Sequence, residues 1–535
     1  MKARITETEE DVGVKSRSVL WYLTFFGFAI NYILRISASI TIVDMIDMNY
    51  RKSSSNKTIV TSECIIIDTN FTTTPEFSNE INLAENEKYV SLERRFLDFL
   101  GVEYERDGFR WDEHQQSLVL GSFFWVHWLT QLPGGVLAAK YGTKFVFGFA
   151  NFLASVMCLA MPLTCYLDYR LMVGLRILQG FITGVSWPAM HHMTAKWIPP
   201  NERSNFVSAY LGSSIGVAIA YPIFGFIIKV SSWEWVFHAC GICGIIWYMF
   251  WLYFVYDSPE KHPRIHPKEK EYILQSLGSS VMRASDKKRE IPWKAILTSK
   301  IVWINAASQW GGIWGLFTLL VQAPTYFRFI HGWGIEMTGI LSGLPHLLRV
   351  AFSIGFSNFG DYLLSNNKMS RNNVRNLATF FCMILNGFAV IGLAFSGCDI
   401  TMAIIFLTLS LTLHGAVSTG ALSSIVDIAP NYAGISLGIV SALGTATGFV
   451  SPIVVGYFTF ENQSITAWRW IFLICAVMLL GCGVLYMALN DTSIQPWNRP
   501  ADEGKEDNEL QPLKKDPSRF VEGIVEAEAS EKPEK

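Results

Sequence analysis

The chain is built of long apolar runs separated by polar stretches, and no run alternates residue by residue as a half-buried strand does. Twelve runs are long enough, at about 1.5 Å per helical residue, to cross a hydrocarbon core about 30 Å thick. They lie near 19–45, 116–139, 145–166, 171–195, 204–228, 235–256, 301–327, 337–359, 376–396, 401–424, 435–458 and 468–489. The pattern predicts an all-α membrane protein with twelve transmembrane helices, and the missing period of two argues against a membrane barrel.

Two polar insertions organise the series. One, about 47–113, parts the first and second runs; the other, 257–300, holds Lys261, Arg264, Lys268, Lys270, Lys287, Lys288 and Arg289 and splits the runs six and six. The chain therefore reads as a tail 1–18, a six-helix bundle 19–256 that includes the loop 47–113, a linker 257–300, a second six-helix bundle 301–490, and a tail 491–535. Such halves are expected to be structural repeats. Lys140, Lys144, Lys196, Arg203, Lys368, Arg371 and Arg375 fall on the linker's side, which places the linker and both termini in the cytosol. The sequons at Asn56, Asn70 and Asn462 fall on the opposite, lumenal or extracellular side and are candidate glycosylation sites. The last tail is charged and poor in aromatics, a composition that does not fold alone. The first eighteen residues are polar and mixed in charge, so no cleavable signal peptide is expected and the first run directs insertion.

Composition narrows the class. Half the residues are hydrophobic and 16% charged, as in a polytopic membrane protein, and a net charge of −2 gives no basic surplus for nucleic acid. Cys240 and Cys243 form a CxxC inside an apolar run without a second ligand pair, which is neither a zinc nor a redox pattern. Cys64 is the one cysteine well inside a loop, and its pairing is not assignable from spacing. No metal-ligand cluster, nucleotide loop or nucleophile constellation is present in the sequence, so neither an enzyme nor a metal or other cofactor is expected.

The chemistry concentrates in the fourth run. Arg176 lies in it without an adjacent acid, and a charge at that depth costs roughly 2.5–3.5 kcal/mol on insertion scales. At helical spacing Arg176, Gln179, Thr183 and Trp187 share a face, while Gly180 and Gly184 form a small pair where another helix can approach. Pro188 removes a backbone donor and should bend this helix. Arg35 lies in the middle of the first run.

Several strings carry a resemblance. GSFFW at 121–125, TQLPGG at 130–135, WPAMHHM at 187–193, WIPPNERS at 197–204, DSPEKHPRI at 257–265 and DIAPNYAGI at 427–435 together resemble the anion:cation symporters of the major facilitator superfamily. That family includes sialin, the vesicular glutamate transporters and the type I sodium/phosphate cotransporters. RILQG at 176–180, FWLYFVYDSPEKHP at the end of the sixth run, PHL at 345–347 and IQPW at 494–497 look most like the vesicular glutamate transporter branch.

The resemblance implies a major facilitator fold whose first, fourth, seventh and tenth helices line a central cavity, with Arg35 and Arg176 facing it. A guanidinium is a permanently charged planar fork that pairs bidentately with a carboxylate or phosphate. Gln179, Thr183 and Trp314 would shape the pocket. The departures matter equally. The branch's fourth-helix acid is Thr183 here, its second-helix histidine is Leu120, and its seventh-helix arginine falls at Gly311 or Gly312. No acid lies deep in any run; Asp44 and Glu336 stand at run ends. His127, His346 and His414 are then the candidate proton carriers, and Arg349 the candidate replacement for the missing arginine. The second-to-third helix junction resembles the superfamily's gating motif, with Gly135, Gly142 and Lys144 retained, its acid replaced by Ala139, and the matching acid of the second half kept as Asp361.

These readings lead to a secondary active transporter of a small organic anion such as glutamate, driven by membrane potential more than by proton symport. The alternatives are a sodium-dependent phosphate symporter, a sialin-like carrier of acidic sugars or amino acids, and a receptor or scaffold that does not transport. Sodium, proton and chloride are the candidate coupling ions. The expected partners are the anionic substrate and the lipid bilayer, the expected state a monomer, and the expected site a synaptic or lysosome-like vesicle or the plasma membrane.

Overall fold

The computed structural model describes residues 15–46, 63–64, 91–102, 104, 108–199, 202, 206, 208–286, 292–429 and 432–498. Helix accounts for nearly all regular structure among them; one isolated parallel bridge joins Ile46 to Phe109. Asn56 and Asn70 lie outside the described residues.

Every expected run is helical. The first (Ser16–Met45), third (Thr143–Leu167), sixth (Glu234–Phe254), seventh (Lys300–Phe329), eighth (Ile335–Ser365), eleventh (Ala433–Thr459) and twelfth (Ile465–Leu489) spans are continuous. The second breaks at Phe123 into Glu113–Ser122 and Phe124–Tyr141, and the fourth into Tyr169–Thr183 and Ser186–Trp197. The fourth-span break has the cause the sequence suggested: Pro188 has no N–H for the carbonyl of Gly184, four residues earlier. The fifth opens with a 3₁₀ turn, Ser208–Leu211, before Gly212–Val230. The ninth holds a π turn, Phe380–Leu385, between Arg371–Thr379 and Asn386–Ala394, and the tenth a 3₁₀ turn, His414–Ser418, between Ile400–Leu413 and Ala421–Ile428. Among the described residues, nine helices are long and apolar enough by themselves to cross a membrane. The fourth span falls short because it is broken into pieces of 15 and 12 residues, the second because its longer piece carries His127, Thr130, Gln131 and Lys140, and the seventh because it buries Asn305, Ser308, Gln309 and Gln322.

The two bundles meet most closely on the face that carries the first long loop, here the loop face. The fifth span meets the eighth through small residues: a Cβ on Gly339 would stand 2.5 Å from the Tyr221 carbonyl oxygen. Tyr221 donates to the carbonyl of Leu320 at 2.6 Å, and the Glu461 amide donates to Glu113. A disulfide joins Cys64 of the first loop to Cys398 between the ninth and tenth spans, settling the partner that spacing left open. Hydrogen bonds between described residues of the two bundles lie there or at mid-depth, where Gln131 donates to Thr445 and Arg349 to Ser214. The structure is thus sealed on the loop face.

The linker face is held by charges within each bundle. Gly142 adopts φ +87°, and the adjoining Lys144 amide donates to Asp257 at 2.8 Å, so an acid from the end of the sixth span caps the third. Ala139 leaves the gating motif without its own acid, and the acid beside this junction is Asp257. Gly135 lies across from Pro188. In the second bundle the latch is Arg375 on Asp427, at 2.8 Å, while Asp361 is exposed. Linker residue Glu269 accepts from the Ser16 amide and the Arg17 side chain, tying the linker to the first span. The segment 491–498, expected to be unstructured, instead docks: the Gln495 amide donates to Ile428, and Trp497 faces Tyr432.

Two outcomes follow from this architecture. If a protease site is placed in the linker and cut, the halves should run as one covalent species without reductant and as two with it; separation without reductant would contradict the Cys64–Cys398 link. Asp257→Ala should lower stability by roughly 0.5–2 kcal/mol, the range for losing a helix N-terminal cap. Thermal unfolding in detergent measures it.

Candidate functional site

The centre of the first bundle holds two guanidiniums. Arg35 and Arg176 are 3% and 1% exposed. Both terminal nitrogens of Arg176 donate to the backbone carbonyl of Arg35, each at 3.2 Å, so the fourth span is clamped onto the first. The Arg35 guanidinium reaches His127 Nε2 at 3.2 Å and lies over the Tyr32 ring at 4.4 Å. Phe123, at the break in the second span, faces both cations, with ring-centre distances of 5.0 Å to Arg35 and 5.4 Å to Arg176. These are cation–π distances, and each such contact offsets a little of the desolvation cost. Nε of either arginine has no hydrogen-bond partner, and no ion pair among the described residues includes either one.

Close helix approach makes this possible. A Cβ on Gly180 would fall 1.8 Å from the Phe123 carbonyl oxygen, so the expected small-residue contact is real and is made with the second span. The same glycine's carbonyl accepts from His127 Nδ1 at 3.1 Å. With Nδ1 donating, His127 Nε2 must offer its lone pair to Arg35, which fixes a neutral imidazole. Gln179 and Thr183 are buried on the face of Arg176 but spend their donors locally: Gln179 donates to Ala154 of the third span at 3.1 Å, and Thr183 to the Gln179 carbonyl at 2.8 Å.

The second bundle adds a further cation. Arg349 Nη1 donates to Ser214 at 3.1 Å, and its charge acts on His346 and His414. His414 Nε2 donates to the Gly312 carbonyl at 3.2 Å, whereas both ring nitrogens of His346 lack partners. Of the two glycines at which the missing arginine falls, Gly311 packs against the twelfth span and Gly312 faces His414. Trp314 is buried beside Trp310 at 6.4 Å. Tyr32 faces Arg35 and is within electrostatic reach of Arg349. Sequence reading missed Tyr32 and Phe123. The available signals were Tyr32 one helical turn before Arg35, and Phe123 within GSFFW.

Other sequence candidates lie apart. Asp44, at the loop-face end of the first span, is within electrostatic reach of Arg328 and Glu234, and Glu336 pairs with Lys229 at 2.7 Å. Glu234, which the sequence reading overlooked, is buried and accepts from Tyr166 at 2.5 Å. Asn462 is exposed in the turn before the twelfth span. Among the described residues, no group of His, Cys, Asp and Glu could hold a metal ion. The site is therefore a cationic, aromatic-lined centre between two bundles, suited to a negatively charged guest.

Known proteins place this arrangement. Residues 91–452 and 369–525 match the Major Facilitator Superfamily. Sialin of Ovis aries is 34% identical over 483 residues, covering 90% of this chain and 90% of its own. Vesicular glutamate transporter 2 of Homo sapiens is 35% identical over 407 residues, covering 75% of this chain and 69% of its own. A bacterial homolog of the human lysosomal transporter Spinster, in an inward-facing and occupied conformation, shares the fold with a TM-score of 0.58 at 12% identity, covering 90% of this chain and 100% of its own. A D-xylose-proton symporter does so with a TM-score of 0.57 at 12% identity, covering 88% and 96%. At such identity these two show the fold alone. The continuous match to sialin and to the vesicular glutamate transporters carries more: this chain belongs to the Major Facilitator Superfamily, in the family that holds those transporters.

Proposed function

We propose that this chain moves a small organic anion by alternating access, with the anionic group held by Arg35 and Arg176, Tyr32 beside Arg35, and Arg349 contributing from the second bundle. Glutamate or a related carboxylate is the favoured cargo. The observation that carries this reading is the burial of two guanidiniums, each with an unpartnered Nε, beside no described carboxylate. A buried charge left without a counterion costs several kcal/mol, which an anionic guest would offset. Arg349 stands in for the seventh-helix arginine, and Trp314 borders the same region.

The driving force follows from the same charges. A site of cations without an acid favours movement of net negative charge, and the membrane potential supplies about 2.3 kcal/mol per charge per 100 mV. The Lys/Arg bias puts the linker face in the cytosol, so the sealed loop face is lumenal or extracellular and Asn462 is open to glycosylation there. A vesicle membrane suits such a carrier, and a monomer holds the whole site. One observation favours a proton contribution as well: a proton on His127 Nε2 would evict Arg35 from its present contact. His346 and His414 would respond to Arg349 instead.

Reconstituted vesicles test the reading. Labelled glutamate uptake should follow an imposed potential and ignore a sodium gradient; sodium-driven phosphate uptake would replace this proposal, and silence with every anion would favour a scaffold. Truncating one member of a buried charged contact costs about 2–5 kcal/mol, and about 1.4 kcal/mol is tenfold, so Arg35→Ala and Arg176→Ala should each lower transport efficiency roughly 30-fold or more. Unchanged transport in Arg349→Ala would remove that residue from the site. His127→Gln can still donate to Gly180 and accept from Arg35 without titrating. It should transport with a flatter pH profile between about 5 and 8, and an unaltered profile would exclude His127 from coupling.

A further inference from the structure

A short helix in the first long loop, Leu92–Leu100, is not explained by transport. Its sequence, LERRFLDFL, is capped by Ser91, which accepts from the Arg94 amide, and is stopped by Gly101 at φ +68°. Its residues fall on three faces. Glu93 and Leu97 turn into the protein, whereas Arg94, Arg95 and Asp98 form a charged side. The third face is apolar and exposed: Leu92 is 62%, Phe96 50%, Phe99 85% and Leu100 54% exposed, spread over roughly 100° of a helix with about 3.6 residues per turn. A soluble loop has no reason to present two phenylalanines and two leucines in one stripe.

The docking of this helix fixes where the stripe lies on the bundle. Glu93 bonds His238 Nε2 at 2.5 Å, and Arg94 Nε donates to the Tyr166 hydroxyl at 3.0 Å, which in turn donates to Glu234. Burial alone would raise the Glu93 carboxyl, but the bond with His238 and those of its own backbone and Ser91 outweigh it and hold it below the usual range. His238 is not at the tip of the sixth span. It lies one turn inside, about 6 Å along the axis from Glu234, on the line of Trp235, Ile242, Ile246, Met249 and Tyr253, all exposed. That line is the lipid-facing stripe of a transmembrane helix, and Trp235, 5.7 Å from His238 between ring centres, is the residue type that marks the membrane interface. The loop helix is therefore attached to the side of the bundle, where its apolar stripe continues the lipid-facing surface.

We infer that Leu92–Leu100 is an interfacial anchor, lying in the loop-face leaflet with Leu92, Phe96, Phe99 and Leu100 in the acyl boundary and Arg95 and Asp98 toward water. A helix of this design sinks about 5–10 Å into the headgroup boundary. It holds the end of the first loop against the third and sixth spans, independently of which anion is carried.

Spin labels at Leu92→Cys, Phe96→Cys, Phe99→Cys, Arg95→Cys and Asp98→Cys test this in phosphatidylcholine vesicles. A Cys243→Ser background is needed, because Cys243 is exposed. The ratio of collisions with oxygen to collisions with a water-soluble nickel chelate should be several-fold higher at 92, 96 and 99 than at 95 and 98. Equal access of the chelate to all five positions would overturn the inference in favour of a solvent-facing helix. Poor access of both reagents at 96 and 99 would overturn it in favour of a protein cover, either the rest of the loop or a second copy.

Discussion

A guanidinium does not lose its charge on burial, and this chain buries two, one of them clamped onto the backbone of the other. Everything near them can be understood as a way of tolerating that. Arg176 spends two donors on the Arg35 carbonyl, Arg35 finds a neutral histidine and three aromatic rings, and glycines at 180 and 184 let the second and fourth spans close around them. Neutral carbonyls and ring faces reduce the cost of the charges without cancelling them. What stays uncancelled is an attraction for an anion, and the proposed function rests on that residual.

The surrounding architecture closes one face more tightly than the other. Tight small-residue contacts, the Tyr221–Leu320 bond and the Cys64–Cys398 disulfide gather at the loop face. Latches such as Asp257 on Lys144 and Arg375 on Asp427 stay within their own bundles. The halves can thus move as units about a mid-depth centre, as repeats of such transporters do. The broken spans cluster where they serve this: the breaks at Phe123, Gly184 and His414 all lie beside the cations or their histidines.

Much of the fold was legible because span length and charge bias are written in one dimension. Twelve runs, the six-and-six division and the Pro188 break needed no tertiary knowledge. The pairing of Arg35 with Arg176 was approachable too, since a lone charge in an apolar run demands an interior address. Side-chain direction was not. Gln179 shares a helical face with Arg176 yet turns its amide to the third span, where it donates to the Ala154 carbonyl. Asp257, remote from the gating motif in sequence, meets it in space at the Lys144 amide. Tyr32 and Phe123 looked like ordinary apolar filling, and only three-dimensional proximity shows them against the guanidiniums. The disulfide lay beyond reach for the same reason: 334 residues separate its cysteines.

The most direct test is an experimental structure with a bound carboxylate, refined to show side-chain density around Arg35 and Arg176. The account predicts the carboxylate within hydrogen-bond reach of both guanidiniums, with at least one present partner, the Arg35 carbonyl or His127, given up in exchange. A transported anion seated elsewhere, with both arginines keeping every contact they have now, would contradict it.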